Sequence, residues 1–177
     1  WPATWGGNEV NYGMDPEIVT NALYKDTIKH DLKAIPTFSI VVNLDDMFSA
    51  GTGIYANPGN DGPGWERPWS IEVIYPGGEQ GYQANCGIPL RGGFSRSGTN
   101  PKHAFRFFFR QEYGLSKLDF PMFGPTGAKT FHKFDMRTMQ NYSWSFQNDS
   151  RMICVRDVMS RDAQLAMNGM GTRGDFY

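Results

Sequence analysis

The chain has 177 residues, of which 40% are hydrophobic and 20% are charged, and its formal net charge is -1. These values predict a soluble globular protein with one sizeable core, and one domain is the default expectation. Because binding by neutralisation of a phosphate backbone needs a clustered basic surface, we predict no nucleic-acid partner.

The chain is rich in glycine, proline and aromatic residues, a composition that favours strands and turns. The chain has 21 glycines and 11 prolines, and 15% of its residues are aromatic. This pattern indicates many short strands joined by tight turns, with helix as the minority component. No run approaches the roughly 20 apolar residues of a membrane span, so none is predicted. The opening residues, WPATWGG, lack both a signal peptide and an initiator methionine, which indicates a processed or excised piece of a longer protein.

The cysteines and histidines do not predict a metal site. Cys86 and Cys154 lack the spacing of zinc ligands, and the three histidines are dispersed along the chain. A Cys86–Cys154 disulfide and two buried free thiols are both compatible with the sequence.

Residues 1–34 are predicted to be an N-terminal extension with short helices. Asp15 followed by Pro16 is a typical helix start, with aspartate as N-cap and proline in the first turn. Two short helices, near residues 16–21 and 24–33, and one longer helix are both compatible with the pattern before Pro36.

The central part of the chain predicts an antiparallel meander. Alternating and β-branched apolar residues predict strands, and Gly and Pro clusters separate them. The predicted strands cover residues 37–42, 69–75, 80–91, 104–110 and 130–137. A turn or single helical turn is expected at residues 44–48, and a long loop at residues 51–68.

The last element is predicted to be an amphipathic helix. It begins after Asp149 or Ser150 and ends at Asn168-Gly169. We expect its apolar stripe to pack on the sheet and its charged side to face solvent. The stripe comprises Met152, Val155, Met159, Ala163, Ala166 and Met167, and the charged side carries Arg151, Asp157, Arg161 and Asp162.

The segment from Arg91 to Arg110, RGGFSRSGTNPKHAFRFFFR, is the strongest functional signal in the sequence. It joins a glycine- and serine-rich turn, with Arg96 and Lys102, to a strand of alternating phenylalanine and arginine. Backbone amides freed by glycines, hydroxyl groups and cationic side chains together can bind phosphate. Ordinary hairpins also contain such turns, so the pattern alone leaves both interpretations open.

Three longer motifs resemble the spore-coat CotH kinase family, in particular its large secreted relatives in environmental bacteria. They are GIYANPGNDGPGWERPWSIEVIYPGG, then CGIPLRGGFSRSGTNPKHAFRFFFRQEYG, and then FDMRTMQNYSWSFQNDSRMICVRDVMSRDAQLAMNG. The resemblance covers the chain from about Ile35 to the end. It implies that residues 35–177 are a partial kinase-like domain, comparable to the N-terminal lobe of an atypical kinase fold.

The resemblance also implies a function. Members of this family use ATP and a divalent cation such as Mg²⁺ to phosphorylate serine in a protein substrate, and this chain would be the nucleotide-gripping front half. By similarity, Lys102 matches the lysine that contacts phosphate, and Gly93, Ser95 and Arg96 match the loop before it. The catalytic carboxylates of the family lie in a following lobe of the same polypeptide, so no catalytic residue is assigned here and the fragment alone is expected to be inactive. The family also implies an extracellular or cell-surface location.

A different class of function is compatible with the sequence as well. Five tryptophans, two of them in the first five residues, could stack on sugars or on a protein surface if they are exposed. The alternative hypothesis is therefore a secreted carbohydrate- or protein-binding module without catalysis. The simpler explanation for these rings is that they fill the core of a strand-rich domain.

Overall fold

The computed structural model describes residues 3–5, 8–9, 11–100, 102–138 and 155–174. Its first elements are two short antiparallel strands, β1 (Thr4–Trp5) and β2 (Asn8–Glu9). Two short helices follow, α1 (Pro16–Val19) and α2 (Ile28–Asp31), and neither has a buried residue. The Asp15 side chain accepts a hydrogen bond of 2.9 Å from the backbone N–H of Glu17, which confirms the predicted N-cap.

One antiparallel sheet forms the body of the protein. Its six strands are β3 (Thr37–Val41), β4 (Arg67–Ile74), β5 (Tyr82–Ile88), β6 (Leu90–Arg91), β7 (Ala104–Phe108) and β10 (Lys133–Met136). The strand order is β10-β7-β5-β4-β3, and β6 pairs with β7 beyond the end of β5. Two further short strands, β8 (Leu118–Asp119) and β9 (Thr130–Phe131), pair separately. The predicted meander is confirmed.

Short helical turns connect these strands. Helix α3 (Leu44–Phe48) is the single helical turn expected from the sequence, and the Asn43 side chain caps it by accepting from the N–H of Asp45 at 2.9 Å. Three 3₁₀ turns follow at Pro63–Trp65, Phe94–Arg96 and Gln111–Tyr113.

The two faces of the sheet differ in polarity. Trp69, Ile71 and Val73 of β4 are only 3%, 1% and 2% exposed, as their alternation predicts. On β7, Phe107 is fully buried and its ring centroid lies 4.8 Å from that of Phe134 on β10. The opposite face of β7 and β10 carries Arg106 and Asp135. The alternation of aromatic and charged residues thus separates an aromatic core from a charged face.

The C-terminal helix α4 (Arg156–Asn168) ends at Gly169, which adopts the left-handed conformation with φ 71°. This confirms the predicted C-cap, and it completes the predicted α+β fold with an antiparallel sheet and a C-terminal helix. The predicted start at Asp149 or Ser150 lies outside the described residues. None of the helices within the described ranges is long and apolar enough to cross a membrane.

The orientation of α4 differs from the prediction. Met159 and Met167 of the apolar stripe are 68% and 85% exposed. Asp157 instead is half-buried and accepts a hydrogen bond of 2.9 Å from Arg137, which follows β10 directly. The predicted burial of the apolar stripe is therefore wrong. The physical reason is that the half-buried side of α4 is mixed: Asp157 pairs there with Arg137 and Arg161, and the apolar Val158 and Leu165 are half-buried as well.

Candidate functional site

Three side chains on neighbouring strands form the centre of the charged face. Arg106 on β7 lies opposite Asp135 on β10, and its Nε and Nη2 atoms donate to that carboxylate at 2.6 and 2.9 Å. Arg91 on β6 donates to the same carboxylate through Nε at 2.6 Å. We call Arg91, Arg106 and Asp135 the arginine triad. One carboxylate thus holds two guanidinium groups in a defined position.

Electrostatics favours the ionised form of Asp135. Burial opposes ionisation of this carboxyl, but hydrogen bonds and charge from Arg106 and Arg91 outweigh burial and hold the pKa of Asp135 below its usual range. The hydrogen bond to Asp135 likewise raises the pKa of Arg106. The triad is therefore a fixed cluster with two positive charges and one negative charge.

Three cavities meet at Arg91. The first has a volume of about 320 Å³, and Arg106 and Glu66 also line it. The second has about 760 Å³ and lies between the sheet and α4, with Arg106 and Arg137 in its wall. The third has about 200 Å³. The arginine triad therefore lies where the walls of separate cavities adjoin.

The glycine-rich loop forms one side of the third cavity. Gly93 and Ser95 line it together with Arg91 and Arg137. Gly92 has φ 116°, and a Cβ there would collide with the Ser95 hydroxyl, so this position requires glycine. By contrast, a Cβ at Gly93 would meet no atom within 4 Å. Gly93 is exposed, so open space lies beside it.

Arg96, another predicted phosphate ligand, joins two loops. Its guanidinium donates to the carbonyl of Asn60 and to the Asp61 carboxylate, both at 2.9 Å, and also to the carbonyl of Gly92. The side chain is 14% exposed and lines the first cavity. The structure thus places Arg96 in a different cavity from Gly93 and Ser95.

Lys102 is exposed and lines none of these three cavities, whereas the adjacent His103 is buried. The Nδ1 atom of His103 lies 2.9 Å from the carbonyl oxygen of Ser95, and its backbone N–H donates to the Tyr55 hydroxyl at 3.2 Å. Because a carbonyl oxygen only accepts, Nδ1 carries the proton. Burial lowers the pKa of His103, although the hydrogen bond to Ser95 partly opposes this effect. His103 therefore attaches the glycine-rich loop to the core.

Glu66 places a carboxylate at the first cavity. Its side chain is 6% exposed, and Oε2 accepts a hydrogen bond of 3.0 Å from Arg110. Burial raises the pKa of Tyr113, and the adjacent Glu66 carboxylate raises it further. Cys86 lies close by as a fully buried free thiol, whereas Cys154 lies outside the described residues.

The sequence interpretation missed Arg91, Arg106, Asp135 and Glu66 as site residues. The alternation on β7 placed Arg106 on the charged face, but the partner of Arg106 depends on the register between β7 and β10. Glu66 belongs to the WERP motif. This motif supported the family resemblance, but the resemblance predicted no role for the acid. These residues become a site only when strands and loops distant in sequence meet.

The tryptophans that the structure describes do not form an exposed aromatic surface. Trp69 is a core residue, and Trp65 is partly buried and packs against the core. The Arg67 guanidinium lies 5.4 Å from the centre of the Trp65 ring. The side chains of Trp1, Trp5 and Trp144 lie outside the described part of the structure, so the binding-module hypothesis stays a prediction.

Within the described ranges, no group of three or more His, Cys, Asp or Glu side chains is placed to hold a metal ion. Comparisons with protein-family models, with curated proteins and with solved structures yield no match.

Proposed function

We propose that the arginine-rich face binds the phosphates of a nucleotide and that the chain is the nucleotide-gripping front half of a CotH-like protein kinase. The arginine triad carries this proposal, because it presents two fixed guanidinium groups where three cavities meet. Arginine binds phosphate through paired N–H donors, and a guanidinium that is already held loses less entropy on binding.

The triad retains donors for a ligand. Asp135 accepts from one nitrogen of Arg91 and from two nitrogens of Arg106, while each guanidinium carries three nitrogens and five N–H donors. Because one carboxylate balances two guanidinium groups, the triad has an excess positive charge. A phosphate group supplies the missing negative charge and accepts the remaining hydrogen bonds.

The second cavity suits a polyphosphate. Its volume of about 760 Å³ lies within the range of small-molecule sites. Asp135 is the single acidic side chain among its lining residues, although Asp157, outside the lining, pairs with two of the cationic ones, Arg137 and Arg161. The six cationic side chains that line it are Arg91, Arg106, Lys133, Arg137, Arg161 and Arg173. Such an excess of positive charge in a concave space attracts a multiply charged anion.

The glycine-rich loop contributes to the same site in this proposal. Gly93 and Ser95 contact the phosphates from the third cavity, and Arg96 holds the loop in place through Asn60 and Asp61. In this proposal Lys102, at the end of the loop in the sequence, adds positive charge although it lines none of the three cavities. When ATP is bound, it supplies the phosphoryl group that the family transfers to serine, and the residues of this chain bind and orient it. The acids for the metal ion and for the protein substrate belong to the following lobe.

Isothermal titration of the chain with Mg·ATP tests the proposal. We expect measurable binding, and at least about tenfold weaker binding to the variant Arg91→Gln, since a hydrogen bond to a charged group contributes about 1.5 to 3 kcal/mol. Lys29→Gln, on helix α2, which lines none of the three cavities, is the matched control and should bind ATP like the wild-type chain.

Two outcomes would contradict the proposal. One is that the wild-type chain shows no heat of binding with Mg·ATP, and the other is that Arg91→Gln and Lys29→Gln lose the same amount of ATP affinity. The variant Lys102→Ala tests separately whether Lys102 contacts the phosphates. If this variant binds ATP with unchanged affinity, Lys102 is not a phosphate ligand, and the site consists of the arginine-rich face and the loop. Transfer of phosphate by this chain alone would contradict the assignment of the catalytic acids to another lobe.

A further inference from the structure

A second carboxylate holds two more of the arginines that line the second cavity. The Oδ2 atom of Asp157 on α4 accepts a hydrogen bond of 2.9 Å from Arg137. The same oxygen forms an ion pair of 2.8 Å with Arg161, which lies one helical turn further along α4. We call Arg137, Arg161 and Asp157 the helix triad. It repeats the arrangement of the arginine triad, in which one carboxylate holds two guanidinium groups.

The helix triad presents its positive charges to the second cavity. Arg137 and Arg161 line this cavity, whereas Asp157 does not. The side chains of the two arginines are 35% and 26% exposed, so a ligand in the cavity can reach them. Because two guanidinium groups share the charge of one carboxylate, the triad has an excess positive charge on the cavity side.

Arg161 keeps hydrogen-bond donors for an anion. Within the described residues it directs one nitrogen to Asp157 and another to the carbonyl oxygen of Arg173, at 3.4 Å. A guanidinium has five N–H donors, so these two contacts do not use all of them. An ion pair four residues apart on an exposed helix adds little to stability. The position of Arg161 in the cavity wall therefore favours a binding role over a purely structural one.

The two triads lie close together. Arg137 follows Asp135 by two residues at the end of β10, and two residues of extended chain span at most about 7 Å. One arginine from each triad, Arg91 and Arg137, also lines the third cavity. Two neighbouring clusters, each with its own excess charge, favour a ligand whose negative charges are spread over linked groups.

We propose that the helix triad is a second anion subsite, so that the second cavity selects ligands with two or more linked phosphates over monophosphates. This inference rests on the proposed function and specifies its ligand further. One phosphate contacts Arg91 and Arg106, and another contacts Arg137 and Arg161. Because Arg161 belongs to α4 and Arg137 follows β10, such a ligand also ties α4 to the sheet.

Isothermal titration with AMP and with ATP, both in the presence of Mg²⁺, tests the inference. These probes share a base and a sugar and differ in the number of phosphates. The wild-type chain should bind ATP at least about tenfold more tightly than AMP, as one added hydrogen bond between charged groups predicts. In Arg161→Gln this ratio of affinities should fall at least severalfold.

Arg156→Gln is the matched control. Arg156 lies on the same helix, is exposed and lines none of the three cavities. The substitution removes the same charge, so it accounts for the general attraction between a cationic helix and the more highly charged ATP. The wild-type ratio should persist in this variant. An equal fall of the ratio in Arg156→Gln and Arg161→Gln would overturn the assignment of a subsite to Arg161.

Hydrogen exchange of the wild-type chain supplies a readout that does not depend on a variant's folding. ATP should slow the exchange of the α4 amides, because a second phosphate ties this helix to the sheet, and AMP at equal occupancy should slow it less. Equal protection of α4 by the two nucleotides would contradict the inference, and so would equal affinities of the wild-type chain for them.

The failures of the two proposals are distinguishable. If neither AMP nor ATP binds, the proposed function is wrong and the inference about the helix triad falls with it. If ATP binding is weakened in Arg91→Gln but is the same in Arg161→Gln and wild type, the phosphate site stands and the second subsite is wrong.

Discussion

Arg106 and Asp135 are cross-strand neighbours, 29 residues apart in the sequence, and are joined by two hydrogen bonds of 2.6 and 2.9 Å. Arg91 reaches the same carboxylate at 2.6 Å from a third strand. Since all three side chains are only partly exposed, water does not fully screen their charges. The carboxylate therefore links β6, β7 and β10 and also positions the guanidinium groups that we assign to phosphate binding.

Asp135→Asn is expected to lower the free energy of unfolding by about 1 to 3 kcal/mol near neutral pH, because charge-assisted hydrogen bonds are weakened while both arginines remain. The effect depends on pH. The pKa of Asp135 is depressed in the folded state, so its contribution is fully present above the ordinary aspartate pKa of about 3.9 and is lost as pH falls through the folded-state value.

Urea unfolding of the wild type and Asp135→Asn at neutral and acidic pH measures this effect. The difference between the two proteins should shrink as the pH is lowered. Asp119→Asn, at an exposed position on β8, is the matched control. A difference that stays constant over the whole range would show that ionisation of Asp135 is not what stabilises the triad.

Cys86 is expected to be unreactive in the folded protein. Burial raises the pKa of its thiol to about 12, and the charge of Glu66 adds to this shift. At about pH 8 the thiolate fraction is therefore very small, and the side chain is also inaccessible. In Cys154→Ser, a thiol-specific reagent should label Cys86 at the rate of unfolding and at once in strong denaturant. Rapid labelling without denaturant would contradict the burial of this thiol.

His103 is expected to make the glycine-rich loop sensitive to acid. Its pKa is lowered in the folded state, so its contribution to stability is present above the ordinary histidine pKa of about 6.5 and is lost as pH falls through the folded-state value. The free energy of unfolding should therefore fall by up to about 1.4 kcal/mol for each unit by which the pH is lowered between these two pKa values.

Unfolding measured between about pH 8 and pH 5 tests this expectation. The variant His103→Gln should lose the histidine-dependent part of the pH effect. His30→Gln should retain it, because the His30 side chain is 90% exposed. Equal pH profiles for the wild type and His103→Gln would show that His103 does not cause the acid sensitivity.

Gly87→Ala is expected to destabilise the protein and to displace Glu66. The added methyl group would lie within 2.3 Å of both the Glu66 carboxylate and the Tyr113 ring, and overpacking of this kind costs about 1 to 3 kcal/mol. Gly64→Ala is a suitable control, since a Cβ there meets no atom within 4 Å. Thermal unfolding gives the stability change. An unchanged melting temperature would contradict the close packing at Gly87.

The local structural features of the chain were predictable from the sequence alone. Asp15 and Pro16 start a helix and Asn168-Gly169 ends one, because capping depends on residues close together in the chain. The strands were also predictable, since alternation on β4 and β7 separates buried rings from charged groups with a period of two. The antiparallel meander was predictable because strands that follow one another in the sequence usually pair with each other.

Only the tertiary structure decided which distant residues meet. The register of β7 against β10 sets Asp135 opposite Arg106, and the pairing of β6 with β7 brings Arg91 to the same carboxylate. The orientation of α4 was decided in the same way, because Asp157 pairs with Arg137, a residue that lies outside the helix sequence. A sequence determines the local preferences of its segments, whereas a binding site depends on charges and shapes that segments far apart present to one another.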